Sequence, residues 1–472
     1  MTQRTYRSPI EASPGQLFDW HARSDAFCRL NPPWMDVRIK SGGGRITDNQ
    51  TVELSIPMGI IRGKWVLRHR DYDPPRKFAD EQITGPFRNW LHTHRMLPDP
   101  DGAPNRSVLS DEIDYALPFG PLGNLVAGKQ IQRNLDQLFL WRHQRTQNDL
   151  RRHAKTRNEN HLRIIISGAS GLIGAALSQF LATGGHDVRA LVRRTPRESE
   201  IFWDPQAGTI DAAQLEGVDV VVHLAGENLA GGRWTAACKK RFVDSRVGPT
   251  TLLSKTLASL NRVPTVMVSA SAIGFYGNRG DEPLTELSPP GEGFLPDLCQ
   301  QWEAACQPAT NAGIRVVHPR IGVVLSAKGG ALAKMLPPFK FGGGGVIGSG
   351  QQVMSWIAHE DLIDVIHEAI INPSLVGPVN ATAPEPVSNR EFVHTLGEVL
   401  HRPTIVPMPA KVVELLFGEM GRNLLLEGAK VIPSKLQTVN FIYRRQSLES
   451  AFRAELGRQG VPFGFAMPTQ PA

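Results

Sequence analysis

The run LRIIISGASGLIGAALSQFLATGGHDVRALVRR, beginning at Leu162, constrains this chain more than any other stretch. An apolar, β-branched segment ends at Ser167, and Gly168, Gly171 and Gly174 follow at three-residue spacing. A helical period continues to about Thr183, a Gly-Gly pair stops it, and DVRALVRR makes a second strand. Strand, glycine turn and helix in that order form the first βα unit of a parallel sheet that holds a dinucleotide. Gly168 permits the tight turn, Gly171 lets the backbone approach a pyrophosphate, and Gly174 lets the helix pack closely. The helix start offers free N–H groups and a positive dipole end to the phosphates. Ser170, Leu172 and Ile173, set among these glycines, are expected to touch the cofactor with them.

About twenty residues past such a loop, a site for NAD places an acid on the ribose hydroxyls. This chain has Arg193 and Arg194 there, at the end of the second strand. Guanidinium groups suit a 2′-phosphate through bidentate, charge-assisted hydrogen bonds. NADP(H) is therefore expected over NAD(H).

Further landmarks follow in order: VDVVVHLAGEN (218–228), SRVGPTTLL (245–253), VMVSASAIGFYG (266–277), HPRIGVVLS and SWIAHEDLIDVI. With the glycine loop they resemble the extended short-chain dehydrogenase/reductase superfamily. That resemblance implies an α/β Rossmann fold, a doubly wound parallel sheet with a C-terminal substrate lobe. It also implies cofactor contacts at Leu224, Ala225, Gly226, Ser269 and Ala270, and it sets Ser271 near the catalytic serine or threonine. HLAGENLAGGRWT, FLPDLCQQWEAA, GGALAKMLPPFKFGGGGVIGSGQQVMSWIAHEDL and NATAPEPVSNREF are similar to an atypical subgroup, the "epimerase family". Its members are also labelled NAD-dependent epimerase/dehydratase-like or cell-division-inhibitor-like. The resemblance runs from Leu162 to the C-terminus.

Oxidoreductases and epimerases of that superfamily use a Tyr-x-x-x-Lys helix, its tyrosine a general acid/base whose pKa the lysine lowers. The corresponding helix here is GEGFLPDLCQQWEAAC (291–306). With Glu303 on the family's glutamate, Cys299 falls on the lysine and Leu295 on the tyrosine; the alternative register puts Phe294 there. None of these moves a proton in the usual way. Ser271, Tyr276 and Glu227 are the substitute candidates, although a tyrosine at the position of Tyr276 has a structural role in ordinary members. Asn228 joins Glu227 just past the third strand. Lys239 and Lys240 read as a polar helix surface, and Leu295, Leu298 and Trp302 as apolar packing. The run Gly342–Gly345 reads as a mobile connection or lid, with Met354, Ser355 and Trp356 as pocket-lining candidates. The function expected is an NADP(H)-dependent oxidoreductase or sugar-nucleotide-type epimerase lacking the Tyr-x-x-x-Lys pair. The alternative is a non-catalytic NADP(H)-binding regulator or sensor.

Upstream, TYRSPIEA is strand-like, and SPGQLFDWH begins a helix with Ser13 as N-cap and Pro14 in the first turn. TVELSIP, GKWVLRHRDY, KFADEQITG, RNWLHTHRML and SVLSDEIDYAL read as an antiparallel meander. A helix from about Gly128 to His153 carries Ile131, Leu135, Leu138 and Phe139 on one face. FDWHARSDAFCRLNPPW, RHRDYDPPRKFADEQITGPFRNWLHTH and DEIDYALPFG resemble START-like (SRPBCC) domains of the polyketide cyclase/dehydrase type. The resemblance implies an α+β helix-grip fold enclosing an apolar ligand. His92 and His94 share one side of a strand and are taken as structural, with no third ligand beside them; no metal site is expected.

The expected domains are 1–155, a linker at 156–161, and 162–472, with a smaller lobe mainly from about 325–355 and 375–472. At 472 residues and 41% hydrophobic composition, two or more cores are within reach. Four cysteines make no disulfide framework, and Cys299 and Cys306 read as core. No apolar run approaches the ~18–20 residues that span a bilayer, and MTQRTYRSPIEASP lacks a signal-peptide core. A cytoplasmic protein is expected, with a small-molecule substrate or ligand. The net charge of +7 includes seven Lys/Arg against two Asp/Glu within 142–163. That stretch reads as a solvated face, and no nucleic-acid partner is expected.

Overall fold

A computed structural model describes residues 1–59, 61–156 and 161–460. Most of the linker expected at 156–161 lies outside these residues. The chain divides into two compact units, one of 1–159, 179–185 and 454–472, the other of 160–178 and 186–453. Among the described residues, no helix is long and apolar enough to cross a membrane.

In the first unit, β1 (Thr2–Ile10) leads into α1 (Pro14–Ala22) and α2 (Ala26–Arg29). Ser13 caps α1 by accepting from Gln16 N, and the Gln16 side chain accepts from Ser13 N, a capping box. An antiparallel run follows: β2 (Arg38–Ser41), β3 (Thr51–Met58), β4 (Ile61–Asp73), β5 (Lys77–Thr84), β6 (Asn89–Pro98) and β7 (Ser107–Ala116). The sheet order is β1-β7-β6-β5-β4-β3-β2, and α3 (Gly120–His153) closes the unit. Strand alternation buries one face. Trp90, His92, His94 and Met96 of β6 all point inward, where Leu135 and Phe139 of α3 are also buried. Tyr6 stacks on Phe139 at 4.7 Å between centroids.

Three features differ from the expectations. Strand β2 is additional, and α3 begins eight residues earlier than Gly128, after Phe119 in the left-handed region. The basic stretch is also not a solvated face. Arg145 and Arg152 are buried, Arg145 lies over Trp141, and Arg142 donates to Leu30 O. These cations pack along α3, with their stems against apolar surface.

The second unit opens with β8 (Arg163–Ser167); α4 (Leu172–Thr183), of which 172–178 belong to this unit, β9 (Asp187–Val192), β10 (Glu200–Asp204) and β11 (Thr209–Ile210) follow in the chain. Then come β12 (Val220–His223), α5 (Ala236–Asp244), α6 (Val247–Ala258), β13 (Val266–Ser269), β14 (Ser271–Ala272) and β15 (Gly280–Leu284). They are followed by α7 (Phe294–Ala304), α8 (Gln307–Asn311), β16 (Arg315–Ile321), β17 (Val323–Leu325) and α9 (Gly330–Lys340). The main sheet runs β10-β9-β8-β12-β13-β16, every pair parallel, with Gly377–Ala381 beyond β16 and the short β11 antiparallel on β10. Strands buried on both faces have no alternation to show, as VVVH and VMVS illustrate. The chain order reverses between β8 and β12, the switch point at which such sheets hold ligands.

Candidate functional site

The glycine loop sits at that switch point. Gly168 has φ 72°, and a Cβ there would lie 2.9 Å from the carbonyl of Leu224, at the end of β12. A Cβ on Gly174 would meet Gly168 O at 2.2 Å, so α4 can approach the turn only with glycine. Gly171 is less crowded and exposed, and its carbonyl accepts from Ala175 N, starting the helix. A cleft of about 350 Å³ opens here. One wall is Gly168, Gly171, Leu172, Ile173, Gly174 and Leu224; the other is Val323, Val324, Gly330 and Ala331. The second wall was missed in the sequence because it comes from β17 and the start of α9, some 150 residues downstream. Two helix starts thus line one cleft, each with first-turn N–H groups that have no partner within the helix.

Beneath the cleft, His223 is fully buried, with Nδ1 2.6 Å from Ser167 Oγ and Nε2 unpartnered among the described residues. Burial pulls its pKa down to about 4. The following loop is fixed by Ser245, whose Oγ accepts from Glu227 N, and by Arg246, whose guanidinium donates to Glu227 O at 2.8 Å. Arg246 is buried against the Trp302 ring and behind Gly226, a role the sequence did not reveal.

The remaining expected cofactor contacts lie outside the lining of this cleft. Ser170 is exposed and Ala225 half-buried, whereas Ser269 and Ala270 are buried at the end of β13. The two arginines differ. Arg194 donates both terminal nitrogens to Glu200, at 2.7 and 2.5 Å. Arg193 is exposed, with no ion pair among the described residues.

The candidate proton carriers separate in the same way. Tyr276 is 0% exposed; its hydroxyl donates toward Asn380 Oδ1 at 2.7 Å and accepts from Arg320 at 3.0 Å. Burial raises its pKa. Ser271, 2% exposed, donates to Glu303 Oε1 at 2.6 Å. Arg320 closes the network with a bidentate pair to Glu303, 2.9 Å on each oxygen, and its guanidinium lies over Phe275. Tyr276 and Ser271 are thus both engaged in buried hydrogen bonds, unlike the open proton carriers expected. The Glu227 side chain is 39% exposed, 3.4 Å from Arg241. On α7, Leu295, Leu298, Cys299 and Trp302 are all buried, and burial pushes the Cys299 thiol up to about 12. The helix packs as expected. Lys239 and Lys240 pair with Glu419 and Asp244.

Two other expectations are corrected. The Gly342–Gly345 run is not an unattached lid. Val406 N donates to Gly344 O, Met408 N to Val346 O and Gly348 N to Met408 O. A Cβ on Gly345 would strike Val406 O, so glycine serves this close pairing. Ser355 and Trp356 are buried, bonded to the carbonyls of Ala429 and Glu385, and do not line the cleft.

A parallel sheet in this order, with a glycine-lined cleft at its point of reversal, defines a Rossmann-type nucleotide-binding protein. Residues 164–380 match the NAD dependent epimerase/dehydratase family, and residues 408–455 a domain of unknown function, DUF1731. An epimerase family protein of Mycobacterium bovis is 42% identical over 63% of this chain and 98% of its own length. The chain belongs to this epimerase family. The crystal structure of a nucleoside-diphosphate sugar epimerase from Corynebacterium glutamicum is 34% identical, with TM-score 0.77, over 96% of this chain and 90% of its own. The human epimerase family protein SDR39U1, solved with NADPH, is 35% identical over 62% of this chain and 99% of its own, with TM-score 0.59.

Proposed function

We propose that the second unit binds NADP(H) and acts as an atypical oxidoreductase or epimerase of the short-chain dehydrogenase/reductase type, with nucleotide sugars as the first substrates to test. The cleft between two helix starts carries this reading, with Gly168 and Gly174 holding the turn and α4 so close that a Cβ on either would strike backbone. Its likeness to human SDR39U1 with NADPH and to the Corynebacterium nucleoside-diphosphate sugar epimerase supports it. Gly171 to Gly174 and Gly330–Ala331 would face the diphosphate. Arg193, without an ion pair among the described residues, is the cation for a 2′-phosphate, and Arg194 would have to leave Glu200 to join it. Bound there, the nicotinamide supplies hydride transfer. The chain must then orient the substrate and hold one proton. With Tyr276 and Ser271 buried, Glu227 is the group of the three that solvent and substrate can reach.

A second reading, an NADP(H)-binding regulator, is favoured by that same burial of Tyr276 and Ser271. Turnover separates the two. NADPH-loaded protein is incubated with nucleotide sugars and ketones, following nicotinamide absorbance and sugar configuration. Conversion lost in Glu227→Gln and kept in Tyr276→Phe supports the enzyme; tight NADPH binding without conversion supports the regulator.

For the first unit, we propose the START-like helix-grip reading with an apolar small-molecule ligand. A seven-stranded antiparallel sheet with α1 and α2 between β1 and β2, and α3 after β7, supports it.

A further inference from the structure

Inside the first unit, a position that alternation reserves for apolar side chains is filled by ionisable ones. On β6, His92 and His94 stand between Trp90 and Met96 on the buried row. Strand register places Asp80 of β5 opposite His92 and Asp111 of β7 opposite His94. Placing two carboxylates and several imidazoles in a core costs several kcal/mol per uncompensated charge. Such groups persist where they hold something.

The contacts are ordered in two shells. Ligand atoms of Asp80, His92 and His94 lie within 4.8 Å of one another. His94 Nε2 is 3.4 Å from Asp80 Oδ2. That is long for an imidazolium–carboxylate hydrogen bond, which closes to about 2.7–2.9 Å. It matches the ligand-to-ligand spacing, about 3.3 Å, around a tetrahedral ion with bonds of about 2.0–2.1 Å. The far nitrogens of both rings turn to one carboxylate. His92 Nε2 lies 3.1 Å and His94 Nδ1 2.7 Å from Asp111 Oδ1, the latter off the line of an ideal N–H···O bond. Asp111 is held in turn by His143 Nε2 at 2.7 Å, and His143 Nδ1 by Ser8 Oγ at 2.8 Å. On the other side, His69 Nδ1 holds Asp80 Oδ1 at 2.6 Å. Carboxylates on the distal nitrogens of histidine ligands are the usual outer shell of a metal site, fixing tautomer and ring orientation. His92 Nδ1 has no hydrogen-bond partner among the described residues, and the Asp80 side chain, 16% exposed, gives the cluster an edge toward water.

We propose that Asp80, His92 and His94 bind one divalent transition-metal ion of the zinc class, with Asp111, His143 and His69 as the outer shell. Two imidazoles and a carboxylate select zinc, cobalt, nickel or iron(II) over calcium and magnesium, which favour all-oxygen sets. Three protein ligands leave a coordination position for a small donor molecule within the unit.

The test uses untagged full-length protein, stripped with a chelator and titrated with zinc, and with cobalt(II) for its visible ligand-field bands. One equivalent of zinc per chain is expected, with cobalt bands of a four- or five-coordinate N/O site. Asp80→Asn and His94→Gln each weaken zinc about 10–100-fold or more, the scale on which metal sites respond to lost partners. Far-ultraviolet dichroism and urea unfolding verify that both variants are folded. Should His94→Gln fail to fold, Asp80→Asn, at the wetter edge, still decides. Cys238→Ser, removing the half-buried thiol of the second unit, leaves binding intact. Less than stoichiometric zinc in the wild type overturns the proposal, as does wild-type affinity in Asp80→Asn or loss of binding in Cys238→Ser.

Discussion

At the scale of single residues, two side chains carry separable tests. Arg193, exposed and without an ion pair among the described residues, is the proposed 2′-phosphate contact. Hydrogen bonds to charged groups contribute about 1.5–3 kcal/mol, so Arg193→Ala should weaken NADPH about 10–100-fold and leave NADH nearly unchanged. Calorimetric titration with both nucleotides checks this; equal losses for the two would remove Arg193 from the phosphate site. His223 carries a pH prediction. Its folded pKa of about 4 lies below the unfolded value of about 6.5, so the unfolded chain binds the proton first. Stability therefore falls with pH through the window from about 6.5 to 4. Urea unfolding of the wild type and His223→Gln at several pH values should show the wild type's advantage shrinking by about 3 kcal/mol between about pH 7 and pH 4. A pH-independent difference would contradict it. The glycines were legible in the sequence because their spacing encodes backbone clashes. The engagement of Arg194 by Glu200 was not, since nothing in a strand end announces its partner six residues on.

At the scale of elements, α7 and the β14 turn behave as packing units. Glu303, Arg320, Ser271, Tyr276 and Asn380 form one buried network. Removing one partner of a buried ion pair typically costs about 3–5 kcal/mol. Glu303→Gln should destabilise the second unit on that scale, and Ser271→Ala, which loses one hydrogen bond to a carboxylate, by about 1.5–3 kcal/mol. Equilibrium denaturation distinguishes this from a catalytic role, in which Ser271→Ala would spare stability and lower turnover. The helical nature of α7 was readable from Leu295, Leu298 and Trp302; the pairing of Glu303 with Arg320 across to β16 was not. The early start of α3 was hidden because Leu122, Leu125 and Val126 of its first turns are exposed. There, apolar periodicity and burial part company. The metal proposal shares this origin: β6 shows two histidines, and only strand register brings Asp80 and Asp111 beside them.

For the whole molecule, local patterns gave the parallel nucleotide-binding architecture of the second unit while long-range closure stayed hidden. The parallel sheet follows from β-branched strands, glycine turns and intervening helical periods. The second cleft wall, Val323 to Ala331, depends on chain separation that no local pattern records. If this cleft holds NADP(H), the protein binds that nucleotide in solution and does so through the glycine turn. Titration of the wild type and Gly174→Ala with NADPH is the decisive pair, because the added methyl would lie 2.2 Å from Gly168 O and displace the start of α4. The account predicts saturable one-to-one binding by the wild type, tighter for NADPH than NADH, and at least about tenfold weaker in Gly174→Ala. No NADPH binding by the folded wild type, or equal affinity in the glycine variant, would contradict it.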